Sequence, residues 1–199
     1  MDDDLENRSS QVYMRMPARK DRINHAGSLG LRLRGLLLDV DGVESMPPAD
    51  WFRSTKTYRN LPCAHRRWRH DGHCAHVHGY SRAFSFVFRC RERTENGFVM
   101  DFGDLKPVKT FLEEHFDHTL LLDADDPLLG KFRELETEGA CRLVVYEDVG
   151  MEGSARFVFD WVAPWVNEHT QGRVELESVE CRENDKNSAI YAPSRSTAS

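Results

Sequence analysis

No stretch of this sequence is apolar for the roughly 20 residues that a membrane-spanning helix needs. Near the start the longest such run is only Leu36-Leu37-Leu38. The opening Met1-Asp2-Asp3-Asp4 reads as the opposite of a basic signal-peptide start. Basic residues are not in excess, 27 Lys and Arg standing against 33 Asp and Glu for a net charge of -6. That balance argues against a nucleic-acid partner, because phosphate binding needs a basic face. Cys-x-x-Cys pairs are absent too. The five cysteines, Cys63, Cys74, Cys90, Cys141 and Cys181, are odd in number and widely spread. They fit reduced thiols in a cytoplasmic protein better than a disulfide framework or a cysteine zinc site. What is present is 199 residues, 40% hydrophobic and 30% charged, enough for one domain with trailing sequence.

Residues 1–48 mix charge with Arg, Ser and Gly, show no sustained period and end at Met46-Pro47-Pro48. They are expected to form a poorly ordered extension, with Met46 a candidate start of translation. Within it, Leu36 to Gly42 resembles the aspartate motif of haloacid-dehalogenase phosphatases. That fold needs a long doubly wound remainder, whereas the sequence beyond residue 48 is strand-rich. Residues 192–199 read as a disordered tail.

The domain between, residues 49–191, is patterned. Phe84, Phe86 and Phe88 alternate with Ser85 and Arg89, as in a half-buried strand. Asn96-Gly97 predicts a hairpin turn, with Phe98 to Phe102 as the returning strand. Asp104 is a candidate cap for a helix whose early Pro107 is tolerated, with Val108, Phe111, Leu112 and Phe116 at helical spacing. A second helix is expected from about residue 154 to 168, with a kink or early stop at Pro164. Cys141 to Tyr146 reads as an extra strand, and Arg173 to Arg182 alternates as a late one. The class is α+β, an antiparallel sheet with helices on one face.

Five of the nine histidines fall between positions 65 and 78: His65, His70, His73, His76 and His78. Neutral imidazole is the commonest metal ligand, so such crowding favours a metal site over chance surface histidines. Cys74 lies in the same stretch, where a metal or a cationic histidine would make its thiol a usable base or nucleophile. Asp117-His118 sets an acid beside a histidine, which can fix the imidazole's tautomer and raise its basicity. Arg66, Arg67 and Arg69 form a local basic cluster, as readily solvated charge as a meeting place for an anion.

The order of these features is specific. Ala64-His65 is followed by Cys74-Ala75-His76-Val77-His78-Gly79-Tyr80, then by Gly97-Phe98-Val99-Met100-Asp101-Phe102-Gly103-Asp104-Leu105-Lys106. Asp117-His118 comes next, and Glu183 precedes Ala189-Ile190-Tyr191. Over about residues 54 to 191 this order resembles the 6-pyruvoyl/6-carboxy-tetrahydropterin synthase family. Cys74, four positions before His78, resembles the 6-carboxy branch used in making queuosine and other 7-deazaguanines. Two departures stand out. Tyr80 occupies the second histidine position of the family's His-Gly-His, and Glu152 falls at its Pro-Thr-x-Glu segment without the Pro and Thr.

The resemblance implies a tunnelling fold: a four-stranded antiparallel sheet with two helices on one face, several subunits closing a barrel, usually a homohexamer with sites at subunit interfaces. It implies a cytoplasmic lyase acting on 7,8-dihydroneopterin triphosphate with Zn2+ as cofactor. Cys74, Asp117 and His118 would be catalytic, the last two serving a neighbouring subunit's site, and Glu183 would anchor the pterin. His65 and His78 would hold the metal. The third ligand is open among His73, His76 and Tyr80; His73, in the Asp71-Gly72 loop, is favoured. A 6-pyruvoyl-type synthase, an aldolase-like enzyme on dephosphorylated dihydroneopterin and a non-catalytic pterin-binding oligomer are the alternatives.

Overall fold

The computed structural model describes residues 50–194. The expected extension over residues 1–48, with Met46 and the phosphatase-like motif, lies outside the described residues, as do residues 195–199 of the tail.

One mixed sheet organises the described residues. Its strands are β1 (Phe52–His65), β2 (His78–Cys90), β3 (Thr119–Asp123), β4 (Leu143–Tyr146), β5 (Val174–Arg182) and β6 (Ser188–Tyr191), in the order β4-β3-β1-β2-β5-β6. β2 pairs antiparallel with β1 and β5, and β5 with β6, whereas β3 runs parallel to both β1 and β4. The expected antiparallel sheet of four strands is thus the larger part of a six-stranded one. β3 carries no alternation because all five of its residues are buried, which is how a parallel strand covered on both faces reads. The expected strand over Phe98 to Phe102 does not form. Gly97 does make its turn at φ 80°, but both edges of β2 are already taken by β1 and β5. Val99 and Met100 instead drop into the core, and a short 3₁₀ turn, Phe102–Leu105, leads into the first helix.

The helices are α1 (Lys106–Phe116), α2 (Leu129–Thr137) and α3 (Met151–His169). α1 and α3 lie on the face that presents Phe84, Phe86 and Phe88, all fully buried, and Phe111 of α1 stacks on Trp161 of α3 with centroids 4.2 Å apart. α2 buries none of its residues and belongs to the connection between β3 and β4. Two local expectations change. α1 has no side-chain cap; Asp101 caps the preceding 3₁₀ turn by accepting from Gly103 N–H (2.8 Å), and Asp104 pairs with His169 (3.1 Å). Pro164 neither stops nor shortens α3, because Val158, Val162 and Val166 keep it seated on the sheet on both sides of the proline.

His115 on α1 is buried among aromatic rings, with Phe111 and Phe157 at 4.3 and 5.5 Å, and its Nδ1–H donates to the Phe111 carbonyl (2.7 Å). Burial holds its pKa below 6.5. The unfolded protein takes up a proton there near pH 6.5 while the folded protein resists it, so stability falls as pH drops below that value. We expect His115→Leu to flatten this dependence, read as urea midpoints at about pH 7.5 and about pH 5. Equal slopes in the two proteins would remove His115 from the acid response.

Candidate active site

The site is built where β1, β2 and β5 end on the helix-covered face. β1 and β2 hold one register from Phe52 to Tyr58 and shift it between Tyr58 and Leu61, where Asn60 adopts φ 62°. Such a bulge exchanges the faces of every later residue on the strand. It turns Leu61, Cys63 and His65 toward the core and sets His65 directly opposite His78, their rings 4.4 Å apart. Without it His65 would face away. Gly79 follows from the same close approach, since a Cβ there would lie 2.9 Å from the Cys63 carbonyl oxygen.

Both imidazoles are prepared as ligands. His65 is buried and its pKa is pushed down to about 3, by burial first, then by the charge of Arg82, then by His78 and Arg67. It is therefore neutral at physiological pH, and its buried Nδ1 has no hydrogen-bond partner. Nδ1–H of His78 donates to the His76 carbonyl (2.8 Å), leaving Nε2 with its lone pair free. These two donors fit a divalent metal. Among the described residues, however, no group of three or more His, Cys, Asp or Glu side chains is arranged around a common point. His73 is exposed in a 3₁₀ turn, His73–Ala75, and its ring neighbours that of His70 at 6.5 Å. His76 is exposed and lends its backbone carbonyl, not its ring, to His78.

Tyr80 lies two residues along β2 on the same face, its ring 5.7 Å from that of His78 and 6.4 Å from that of His65. The charge of nearby Glu183 is the first cause that holds its phenol above the usual pKa, and Cys74 acts on it in the same direction. Cys74 is half-buried in the 3₁₀ turn, which is pinned to β1's end by Arg67 N–H donating to the Cys74 carbonyl (2.8 Å). His65, His78 and Tyr80 thus share one face, with Cys74 and Glu183, the latter more than 100 positions away in sequence, close enough to act on Tyr80.

Asp117 ends α1, and His118 follows in the left-handed region at φ 56°. His118 N–H donates to the Pro62 carbonyl (2.7 Å), and the carbonyl of Asp117 is held by Arg142 Nη2 (2.6 Å). The side chains make the contact the dipeptide suggested: Nδ1–H of His118 donates to Asp117 Oδ1 (2.6 Å), leaving Nε2 free as a base. His118 is 84% exposed and, with Tyr80, lines an open groove of about 440 Å³.

The arginines after His65 are not free to meet an anion. Arg66 pairs with buried Asp126 (3.0 Å), Arg67 with Asp148 and Asp123, and Arg69 with Asp125. Motifs alone pass over Arg82. It is fully buried, with Nη1 donating to Ser154 Oγ (2.6 Å) and Nη2 to the Val149 carbonyl (3.0 Å). A signal for it exists, because period two places it on the face of Phe84, Phe86 and Phe88. Asn60 carries no comparable signal.

Comparison with known proteins bears on this arrangement. The sequence profile described as 6-pyruvoyl tetrahydropterin synthase matches residues 55–194. The 6-carboxy-5,6,7,8-tetrahydropterin synthase of Rickettsia felis is 34% identical over 68 residues, covering 34% of this chain and 49% of that protein. The chain thus spans about half the length of that relative. The protein of the same name from Aquifex aeolicus is 24% identical over 155 residues, covering 69% of this chain and 95% of its own. An uncharacterised protein of Wolinella succinogenes has a similar structure, with TM-score 0.63 at 21% identity over 72% of this chain and 99% of that one. The 6-pyruvoyl tetrahydropterin synthase of Caenorhabditis elegans matches with TM-score 0.52 at 17% identity, over 75% and 100%. At these identities the structural matches establish the tunnelling fold alone. No helix among the described residues is long and apolar enough to cross a membrane.

Proposed function

The chain belongs to the 6-pyruvoyl tetrahydropterin synthase family, and from that premise we propose that it is a 6-carboxy-5,6,7,8-tetrahydropterin synthase. Its substrate would be 7,8-dihydroneopterin triphosphate and its products 6-carboxy-tetrahydropterin, acetaldehyde and triphosphate, on a route to 7-deazaguanines. The observation that carries this reading is the His65–His78 pair with Tyr80 beside it, and Cys74 and Glu183 near enough to act on Tyr80. The names of the relatives and the spacing of Cys74 before His78 favour the carboxy over the pyruvoyl product.

Each group has a task its surroundings suit. Glu183 accepts from the amino group and ring N–H of the pterin, and charge-assisted bonds of this kind set orientation as well as affinity. Cys74, as its thiolate, removes a proton from a carbon of the substrate's side chain. His118, with its tautomer set by Asp117, serves the adjacent subunit of a homohexamer as the partner acid or base. Zinc held by His65 and His78 would supply Lewis acidity toward the substrate's side-chain hydroxyls. We keep His73 as the third donor on ligand chemistry: it is an imidazole on the loop joining the two histidine-bearing strands, whereas the phenol of Tyr80 is held in its protonated form by the nearby charge of Glu183.

Incubating the protein with 7,8-dihydroneopterin triphosphate and assaying acetaldehyde tests the reading. Acetaldehyde in step with triphosphate is the expected result. Triphosphate without acetaldehyde would make it a pyruvoyl-type synthase. Binding without turnover would make it a non-catalytic pterin-binding protein, the reading that the incomplete ligand set favours.

A further inference from the structure

Tyr80, at the second histidine position of the family's His-Gly-His, raises a question that the family resemblance does not answer, because a phenol can either bind metal or donate a hydrogen bond. We propose that Tyr80 is a positioning residue of the pterin anchor: its hydroxyl donates to Glu183 and holds that carboxylate in the orientation that receives the pterin edge. This rests on the reading of the preceding subsection and deepens it.

Strand geometry places the two residues for this contact. β2 and β5 pair through Ala83 and Arg182, so Glu183 lies one step beyond the ladder's last pair. Continuing that register sets Glu183 opposite Arg82 and makes it a diagonal neighbour of Tyr80 on the same face, a separation that a long aromatic side chain spans. The backbone of Glu183 is fixed by its N–H donating to the Asn187 carbonyl (3.1 Å), inside the turn into β6. Its side chain, by contrast, is half-buried, with freedom that a partner can remove.

The histidine pair points the same way. The His65 and His78 rings are 4.4 Å apart, closer to each other than either is to Tyr80, whose ring stands at 90° to that of His78. The carboxylate that continues the neighbouring strand is close enough for its charge to act on the phenol. Stereochemically the arrangement leaves Glu183 competent. An ionised carboxylate has about four acceptor sites, so one taken by a phenol leaves enough for two pterin N–H groups. A preset carboxylate also loses less rotamer freedom when the ligand arrives. Tyr80 is 37% exposed, so it is open to a ligand approaching the pair.

The test is a double-mutant cycle on pterin affinity with metal content measured in parallel. The proteins are the unaltered protein, Tyr80→Phe, Glu183→Ala and the double variant; the probe is neopterin, which carries the ring without the triphosphate. Tyr80→Phe removes one exposed oxygen and should weaken neopterin roughly five- to tenfold, the loss of a single positioning hydrogen bond. Glu183→Ala should weaken it more, and the double variant no further than Glu183→Ala alone. Elemental analysis should find the metal content of Tyr80→Phe equal to that of the unaltered protein. Losses that add in the double variant, unaltered neopterin affinity in Tyr80→Phe, or metal stripped from Tyr80→Phe would each overturn the assignment. Failure of the unaltered protein to bind neopterin would overturn the pterin reading and this assignment with it.

Discussion

Replacing Cys74 by alanine is expected to lower turnover by roughly a thousandfold, the middle of the range for removing a general base. Metal content and the thermal midpoint should stay as they are. The thiol is half-buried in the 3₁₀ turn between β1 and β2 and contributes nothing to the hydrophobic core. The turn is held by main-chain bonds that alanine preserves: Arg67 N–H to the Cys74 carbonyl, Ala75 N–H to Gly72 and His76 N–H to His73. The other cysteines are poorer candidates for chemistry. Cys63 and Cys181 are buried and their thiols pushed up, Cys181 to about 12, by burial. Cys90 is enclosed in the core. Single-turnover measurements on dihydroneopterin triphosphate would read the effect directly. A variant within a few-fold of the unaltered protein would take Cys74 out of the proposed mechanism.

His118→Gly should move activity and stability in opposite directions. A non-glycine residue in the left-handed region costs about 1 kcal/mol or more, and glycine occupies that helix-ending position without a Cβ penalty. His118 is 84% exposed, so removing its ring opens no cavity. Its N–H bond to Pro62 is a main-chain bond and survives. The thermal midpoint should therefore rise by about 3 °C for a domain of this size. Turnover should fall by roughly a hundredfold or more, because the imidazole fixed by Asp117 is gone. A strained residue kept at a helix end is most simply explained by work its side chain does. A loss of stability together with full activity would reverse that interpretation and leave His118 a structural residue.

Much of the core was open to reading along the sequence. Period two named Phe84, Phe86 and Phe88, and helical spacing named Val108, Phe111, Leu112 and Phe116; all seven are buried. β3 and α2 escaped because neither has a periodic signature, one being buried on both faces and the other buried nowhere. β1 escaped because its outer half is polar on both sides and Pro62 interrupts it. Pro62 is tolerated because its carbonyl, not its missing N–H, is what the structure uses, as the acceptor for His118.

By itself the sequence determined the kinds of donor and their order: histidines before and after a cysteine, an Asp-His pair at a helix end, a glutamate near the last strand. Those are local facts, written in residue type and spacing. Only the tertiary structure decided which of them meet. A bulge at Asn60 turned His65 onto the face of His78, and pairing of β2 with β5 brought Glu183 to Tyr80. The arginine cluster was withdrawn into ion pairs by Asp123 at the end of β3, Asp125 and Asp126 just after it, and Asp148 beyond β4. Register and long-range ion pairing depend on what lies across the sheet, so no window of neighbouring residues holds them.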